Sequence, residues 1–358
     1  MSDSEYSDIT QAKAEMSAKY LNPQSSVKGL ARAFRASTAS ADNHNVVGVG
    51  IDEKYINGVP SGVNAVKFLV RTKMEPSSLS RKEKIPATID GIPTDVEEVG
   101  LILPFASGGG AAAEPSKATA KPNPKTKIRP AQPGGSIGFR EPNDQFIMAG
   151  TFGALVRDTS GELYVLSNNH VIAFESGVEA DGTRRVGLSP GSPIFQPGLL
   201  DGGNLSTDRI AELSRWVDLR ADRNDNRVDA AIARVLEPNT VSRNILFIGA
   251  PTGVKAAAKD MTVHKFGRTT SYRAGRISSV LFDLTIPYEL GNVVFTDQIA
   301  IRGLNRKRFS DSGDSGSAIL ERSTNKVVGL LFAGATNGSL TFANHIGDVL
   351  SQLHVQLA

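Results

Sequence analysis

Three short segments hold a histidine, an aspartate and a serine in settings suited to nucleophilic chemistry: Ser167-Asn168-Asn169-His170-Val171, Val228-Asp229-Ala230-Ala231-Ile232 and Gly313-Asp314-Ser315-Gly316-Ser317. A serine hydroxyl is a poor nucleophile at neutral pH. It needs an imidazole to take its proton and a carboxylate to hold that imidazole. Ser312 and Ser315 both follow an aspartate and precede a glycine. An oxyanion hole needs two backbone N–H groups aimed at one point, which asks for an unhindered residue two positions before the nucleophile. Ser315 has Gly313 there and Ser312 has Ser310, so Ser315 is the expected nucleophile.

Taken alone, His170 would read as a satisfied core histidine at a strand end. Asp229 changes that reading. It runs straight into Ala230-Ala231-Ile232-Ala233, so its carboxylate is expected to be shielded and to need a donor. The Nδ1–H of His170 would supply one, leaving Nε2 to take the proton of Ser315. Asp218, Asp222 and Asp225 are expected to be solvated. Three such segments, 59 and 86 residues apart in the order His, Asp, Ser, form a set that no single one of them would establish.

The elements that must position these groups read as strands. From Ser136 onward, short apolar runs alternate with Gly, Pro, Asn and Asp turns, including Leu163 to Ser167, Val228 to Val235, Thr262 to Phe266 and Val327 to Ala333. That spacing predicts antiparallel barrels. Asn344 to Val355 reads as a closing helix, with Ile346, Val349, Leu350 and Leu353 on one face.

Four regions are expected along the 358 residues. Residues 1–43 form a polar arm with a short helix from Ile9 to about Tyr20. Residues 44–106 form a small α/β module with strands near Val46, Ala65 and Thr94 and a short helix near Pro76 to Glu83. Residues 107–135 form a flexible linker carrying Lys117, Lys121, Lys125, Lys127 and Arg129, and 136–358 form the catalytic domain. His264 is expected to face solvent and His345 to start the last helix.

The segments quoted above resemble a bacterial trypsin-like serine protease of the chymotrypsin fold, similar to the branch that includes plant narrow-leaf proteases. Phe266-Gly267-Arg268-Thr269-Thr270 and Val328-Gly329-Leu330-Leu331-Phe332-Ala333-Gly334 add to the likeness, which covers about Ser136 to Leu357. The resemblance implies a mainly β, double-β-barrel protease domain. His170 becomes the general base and acid, Asp229 its orienter and Ser315 the nucleophile, with the N–H groups of Gly313 and Ser315 as oxyanion hole. It places the substrate pocket on Phe309, Ser310, Phe332, Ala333 and Gly334. No acid stands on that floor, so small or apolar P1 residues are expected, unless Asp311 turns inward.

Animal relatives are activated when a new amino terminus pairs with the acid before the nucleophile, here Asp314. A cut near Gly134-Gly135-Ser136 is one route to that. Local hydrogen bonds to Asp314 are the other.

Composition sets limits. The net charge of +3 is close to balance and implies no nucleic acid. The absence of cysteine excludes disulfides, a thiolate metal site and a cysteine nucleophile, and favours a cytoplasmic setting. No signal-peptide run opens the chain and no apolar stretch is long enough to span a bilayer, so no membrane is expected. No cofactor or metal is implied, and the expected partner is a protein or peptide substrate, among them a target encoded in the same operon. The competing reading is a pseudoprotease or peptide-binding scaffold that keeps the fold without turnover.

Overall fold

The computed structural model describes residues 3–21, 45–56, 58–81, 84–104, 107–108, 122–140 and 148–358. The fold is mainly β, with a small α/β module at the amino-terminal side. Strands Val46–Ile56 and Val59–Val70 form an antiparallel hairpin, and Val59–Val70 pairs in parallel with Ile92–Glu98. Of the helix expected near Pro76, only the single turn Pro76–Ser78 forms. None of its residues is buried, so the run has no apolar face to dock.

The first helix spans Asp3–Tyr20, beginning six residues before the apolar periodicity does. Acidic side chains in its opening turns, Glu5 and Asp8, suit the positive end of a helix. Ile9, Ala12 and Leu21 pack with Val49, Ile51, Val66 and Phe68. Lys13 is buried beside them, 2.5 Å from Asp283 and 3.0 Å from Asp297 of strands Ser271–Tyr288 and Gly291–Gly303. The helix is thus docked by a core and by charge.

The module continues the larger of the sheets that follow, since Val46–Ile56 pairs with Ser271–Tyr288. That sheet also contains a closed ring: Thr262–Gly267, Ala318–Glu321, Val327–Ala335, Thr341–His345, Gly291–Gly303 and Ser271–Tyr288, which pairs back to the first. A second, nine-stranded sheet runs through Ala154–Arg157, Leu163–Ser167, Ala231–Val235, Arg209–Trp216, Pro193–Phe195, Ser136–Phe139 and Met148–Thr151. The closing helix, Ile346–Leu353, buries Ile346, Val349 and Leu353 against residues of both sheets. Gln356–Leu357 then pairs with Ala154–Arg157, so the carboxyl-terminal tail fastens one sheet to the other.

Much of the expected linker is docked. Gly134, Gly135 and Ser136 are buried, Gly134 N donates to Phe152 O at 2.7 Å, and Ser136 N to Pro124 O at 2.7 Å. Lys127 and Arg129 reach Asp208, at 2.5 and 3.4 Å, and Arg129 also bonds Gln196. The expected cut at Gly134–Ser136 would therefore fall in buried, hydrogen-bonded backbone. Lys117 and Lys121, and residues 22–44, lie outside the described residues. Among the described residues, no helix is long and apolar enough to cross a membrane.

Candidate active site

His170 sits in a helical turn, Asn169–Ile172, immediately after strand Leu163–Ser167. Val171 and Ile172 bury into the core of the nine-stranded sheet. Asn169 ties the turn down by donating to Ser176 O and Val217 O, both at 2.7 Å, while Ser176 N donates back to Asn169 Oδ1 at 2.9 Å. Asn168 Nδ2 donates to Asp229 O at 2.7 Å, which couples the histidine turn to the aspartate segment.

Asp229 lies just before strand Ala231–Val235 and is completely buried. Its Oδ2 is 2.5 Å from His170 Nδ1 and accepts the Tyr288 hydroxyl at 2.7 Å; its Oδ1 accepts the His170 backbone N–H at 3.2 Å. Three donors on one carboxylate meet the cost of burying it. Burial and the Asp229 charge hold the Tyr288 phenol well above its ordinary range, so it stays a donor. The Nδ1 contact fixes the imidazole tautomer that leaves Nε2 as an acceptor. That Nε2 is buried and has no hydrogen-bond partner among the described residues.

The segment holding Ser315, the candidate nucleophile, joins the ring strands Gly291–Gly303 and Ala318–Glu321. Gly313 and Gly316 adopt φ of 94° and 89°, which side-chain-bearing residues rarely adopt. A Cβ on Gly316 would also stand 2.2 Å from Ser167 Oγ and 2.3 Å from Thr151 O. Thr151, on the other sheet, clamps the turn: its N–H donates to Ser315 O at 2.8 Å and its hydroxyl to Gly313 O at 3.0 Å. The site is thus assembled across the two sheets. Ser315 Oγ donates to Phe332 O at 3.0 Å rather than to His170 Nε2, and His170, Asp229 and Ser315 are each fully buried.

Asp314 takes a partner from within the fold. Lys265 Nζ, fully buried on strand Thr262–Gly267, lies 2.8 Å from Asp314 Oδ2. Thr269 N, Thr270 N, Thr270 Oγ1 and Asp311 N also donate to that carboxylate. Burial pushes the Asp314 carboxyl up, but Lys265 and the hydroxyl and amide donors outweigh it and hold the group below the usual range. Lys265 thus supplies the positive charge at Asp314.

The side chains assigned to a pocket are distributed differently. Phe309 packs in the core with Val263, Ile277, Ile299 and Ile301. Ser310 Oγ lies 2.5 Å from Thr341 Oγ1, in a buried hydroxyl pair. The Phe332 ring packs at a tilt against Phe295, with centroids 4.9 Å apart, while its carbonyl accepts the Ser315 hydroxyl. Ala333 and Gly334 stand opposite Pro104 and Leu103. Asp311 is half-exposed and faces Arg308 at 3.9 Å.

Asp218, Asp222 and Asp225 make surface pairs with Arg184, Arg220 and Arg223. His264 does not face solvent. It is buried, with Nδ1 3.3 Å from Tyr272 Oη and Nε2 3.1 Å from Asn325 Oδ1, because the segment after Glu321 covers that face of its strand. His345 precedes the last helix, with Nε2 3.2 Å from Val280 O.

Glu175 is a further group near His170 that sequence patterning does not single out. It is fully buried at positive φ, and Glu289 N donates to its Oε2 at 2.6 Å. Burial pushes its carboxyl up to about 7. The folded state therefore holds a proton there that the unfolded chain releases above about pH 4.5, so this group's contribution to stability falls as pH rises from 4.5 to 7. Glu175→Gln should remove that loss. Its melting temperature should exceed wild type at pH 8 by the equivalent of at most about 3 kcal/mol and match it near pH 4.5. An equal difference at both pH values would exclude Glu175 as the titrating group.

No protein-family model and no curated protein sequence matches the chain. Among solved structures it is similar to Thermobifida fusca Protease A, with 20% identity and a TM-score of 0.43 over 64% of this chain and 99% of that one. It is similar to Nocardiopsis protease, with 16% identity and a TM-score of 0.42 over 62% and 95% of the two chains. It is also similar to a glutamic acid specific serine protease, with 15% identity and a TM-score of 0.44 over 64% and 100%. All three are named as proteases, and the likeness is one of fold.

Proposed function

We propose that the chain is a serine endopeptidase that hydrolyses peptide bonds through His170, Asp229 and Ser315 and an acyl-enzyme intermediate. The observation that carries this reading is the 2.5 Å contact between His170 Nδ1 and Asp229 Oδ2, which leaves a buried Nε2 without a partner among the described residues, while a Cβ at Gly150 would meet both Val171, next to His170, and Ser315 O. In this reading the Ser315 hydroxyl leaves Phe332 O and turns to Nε2. Its oxygen then attacks the substrate carbonyl while Nε2 takes the proton, and the oxyanion is met by the N–H groups of Gly313 and Ser315. His170 returns the proton to the leaving amine, and water releases the acyl group. Tyr288 steadies Asp229 throughout.

The finer reading is an intracellular, regulatory protease related to the narrow-leaf branch, taking small or apolar P1 residues in a protein substrate, with an operon-encoded protein as one such target. The absence of cysteine and of an acidic pocket floor supports it. A second reading, a scaffold without turnover, is favoured by the hydrogen bond from Ser315 Oγ to Phe332 O, which keeps the nucleophile off the imidazole.

Covalent labelling by a fluorophosphonate separates the two. The protease reading expects phosphonylation on the peptide holding Ser315. Asp229→Asn should slow it by roughly 10⁴-fold, because the amide favours the wrong imidazole tautomer, while Asp222→Asn leaves it unchanged. Equal losses in the two variants, or phosphonylation elsewhere, would reject the assignment.

A further inference from the structure

The helical turn that carries His170 runs directly into a strained bend. Phe174 and Glu175 have φ of 50° and 55°, two consecutive residues with side chains in the left-handed region. Gly187 makes room for the bend, since a Cβ there would stand 1.9 Å from Phe174 O. Ser176 Oγ closes it by donating to Ala173 O at 2.7 Å. Strain of this kind persists only where the surroundings hold it, and it clusters at functional sites.

The bend turns Glu175 inward. Its side chain is buried, and Oε2 accepts the Glu289 N–H at 2.6 Å. Glu289 lies in the tight turn between strands Ser271–Tyr288 and Gly291–Gly303, one residue beyond Tyr288. Tyr288 is the residue whose hydroxyl donates to Asp229 Oδ2 at 2.7 Å. Two consecutive residues of that turn are therefore gripped from the same side, Glu289 by its backbone and Tyr288 by its hydroxyl. The contacts form a closed circuit: His170 through its own turn to Glu175, on to Glu289 and Tyr288, then through Asp229 back to the His170 ring.

The ring of Tyr288 packs against Phe295 at 6.1 Å and lies 6.2 Å from the imidazole of His170. Dispersion contacts of that kind are non-directional, whereas a hydrogen bond on the adjoining residue fixes position. A carboxyl oxygen accepts an N–H in either protonation state, so this restraint holds across the titration of Glu175.

We propose that Glu175 is a positioning residue for the triad: by holding the Glu289 N–H it keeps the Tyr288 hydroxyl on Asp229, and through Asp229 it keeps the imidazole of His170 in place. This rests on the protease reading above. Glu175 touches no reacting atom, and its influence passes through Tyr288.

The test measures the rate of fluorophosphonate labelling at Ser315 in the full-length chain. Wild type is compared with Glu175→Leu, Glu175→Gln, Tyr288→Phe and the double variant Glu175→Leu with Tyr288→Phe. The ¹H resonance of His170 Nδ1–H, deshielded by its short contact with Asp229, is recorded for each. Glu175→Leu and Tyr288→Phe should each slow labelling by roughly tenfold, the worth of one hydrogen bond to a carboxylate. The double variant should be no slower than Tyr288→Phe alone, because both changes act on one contact. Glu175→Gln, whose amide oxygen still accepts the Glu289 N–H, should recover most of the rate. The Nδ1 proton should shift alike in Glu175→Leu and Tyr288→Phe and hold its place in Glu175→Gln.

Losses that add in the double variant, or a Glu175→Gln as slow as Glu175→Leu, overturn the proposal and leave the protease reading standing. An unchanged rate and resonance in Glu175→Leu does the same. A wild type that fails to label rejects the protease reading. The resonance then decides the restraint alone: coincident shifts in Glu175→Leu and Tyr288→Phe uphold it, and unrelated ones overturn it. Glu175→Ala, which adds no bulk, takes the place of Glu175→Leu where the latter does not fold.

Discussion

Ser315→Ala should abolish fluorophosphonate labelling and lower kcat for peptide hydrolysis by roughly 10⁶-fold, with little change in melting temperature. The hydroxyl is the only atom removed. Its donation to Phe332 O at 3.0 Å is a neutral hydrogen bond, whose loss costs about 1 kcal/mol, whereas the covalent route depends on it entirely. Residual turnover would come from binding and the oxyanion hole. Adding Asp229→Asn to Ser315→Ala should cost almost nothing further, because the pair acts as one unit. Persistent labelling at Ser312 in Ser315→Ala would show that the nucleophile had been misassigned between two serines three positions apart.

Lys265→Met should be the most damaging single change to stability, at about 3–5 kcal/mol, because it leaves the Asp314 carboxylate buried without its cation. The pH dependence identifies the cause. In the wild type, Asp314 has a folded pKa below its unfolded one, so its contribution is present above the unfolded value and lost as pH falls through the folded one. In the variant, burial dominates and the folded pKa rises above the unfolded one. The deficit is then largest at neutral pH and shrinks toward pH 4. Urea unfolding at pH 7 and pH 5 measures it. Adding Asp314→Asn should recover part of the loss, and a deficit equal at both pH values would assign it to packing instead.

The candidate triad could be picked out because each member lies in a locally distinctive setting: a serine in a Gly-Asp-Ser-Gly turn, an aspartate entering an apolar strand, a histidine leaving one. The groups that hold them were not. Tyr288 stands at the end of an ordinary apolar strand, and nothing within that strand marks its hydroxyl as a donor to a residue 59 positions away. Lys265 and His264 occupy adjacent positions in what reads as an alternating strand, and alternation assumes that one face is wet. Here both faces are covered, so each polar side chain meets a partner from distant sequence, Asp314 or Asn325.

The proline- and glycine-rich run from Pro122 to Gly135 misled for a related reason. Composition registers local flexibility, while the run is held by Gln196, Asp208 and Phe152. Pocket positions obtained by counting back from Ser315 carry no information on side-chain direction, and Phe309 points into the core. The α/β module was visible as strands. That it extends the sheet containing Ser271–Tyr288 depends on a pairing between Gly48 and Leu284 that no local pattern encodes.

The ion pair between Lys265 and Asp314 bears on how such a protein is switched on. Where the partner of that acid has to be created by cutting the chain, the nucleophile loop is unfinished beforehand, and control is a matter of assembly. Here the cation arrives with the strand beside it, so the loop is complete as soon as the polypeptide has folded. Under the protease reading, control would act on entry to a finished site rather than on its assembly.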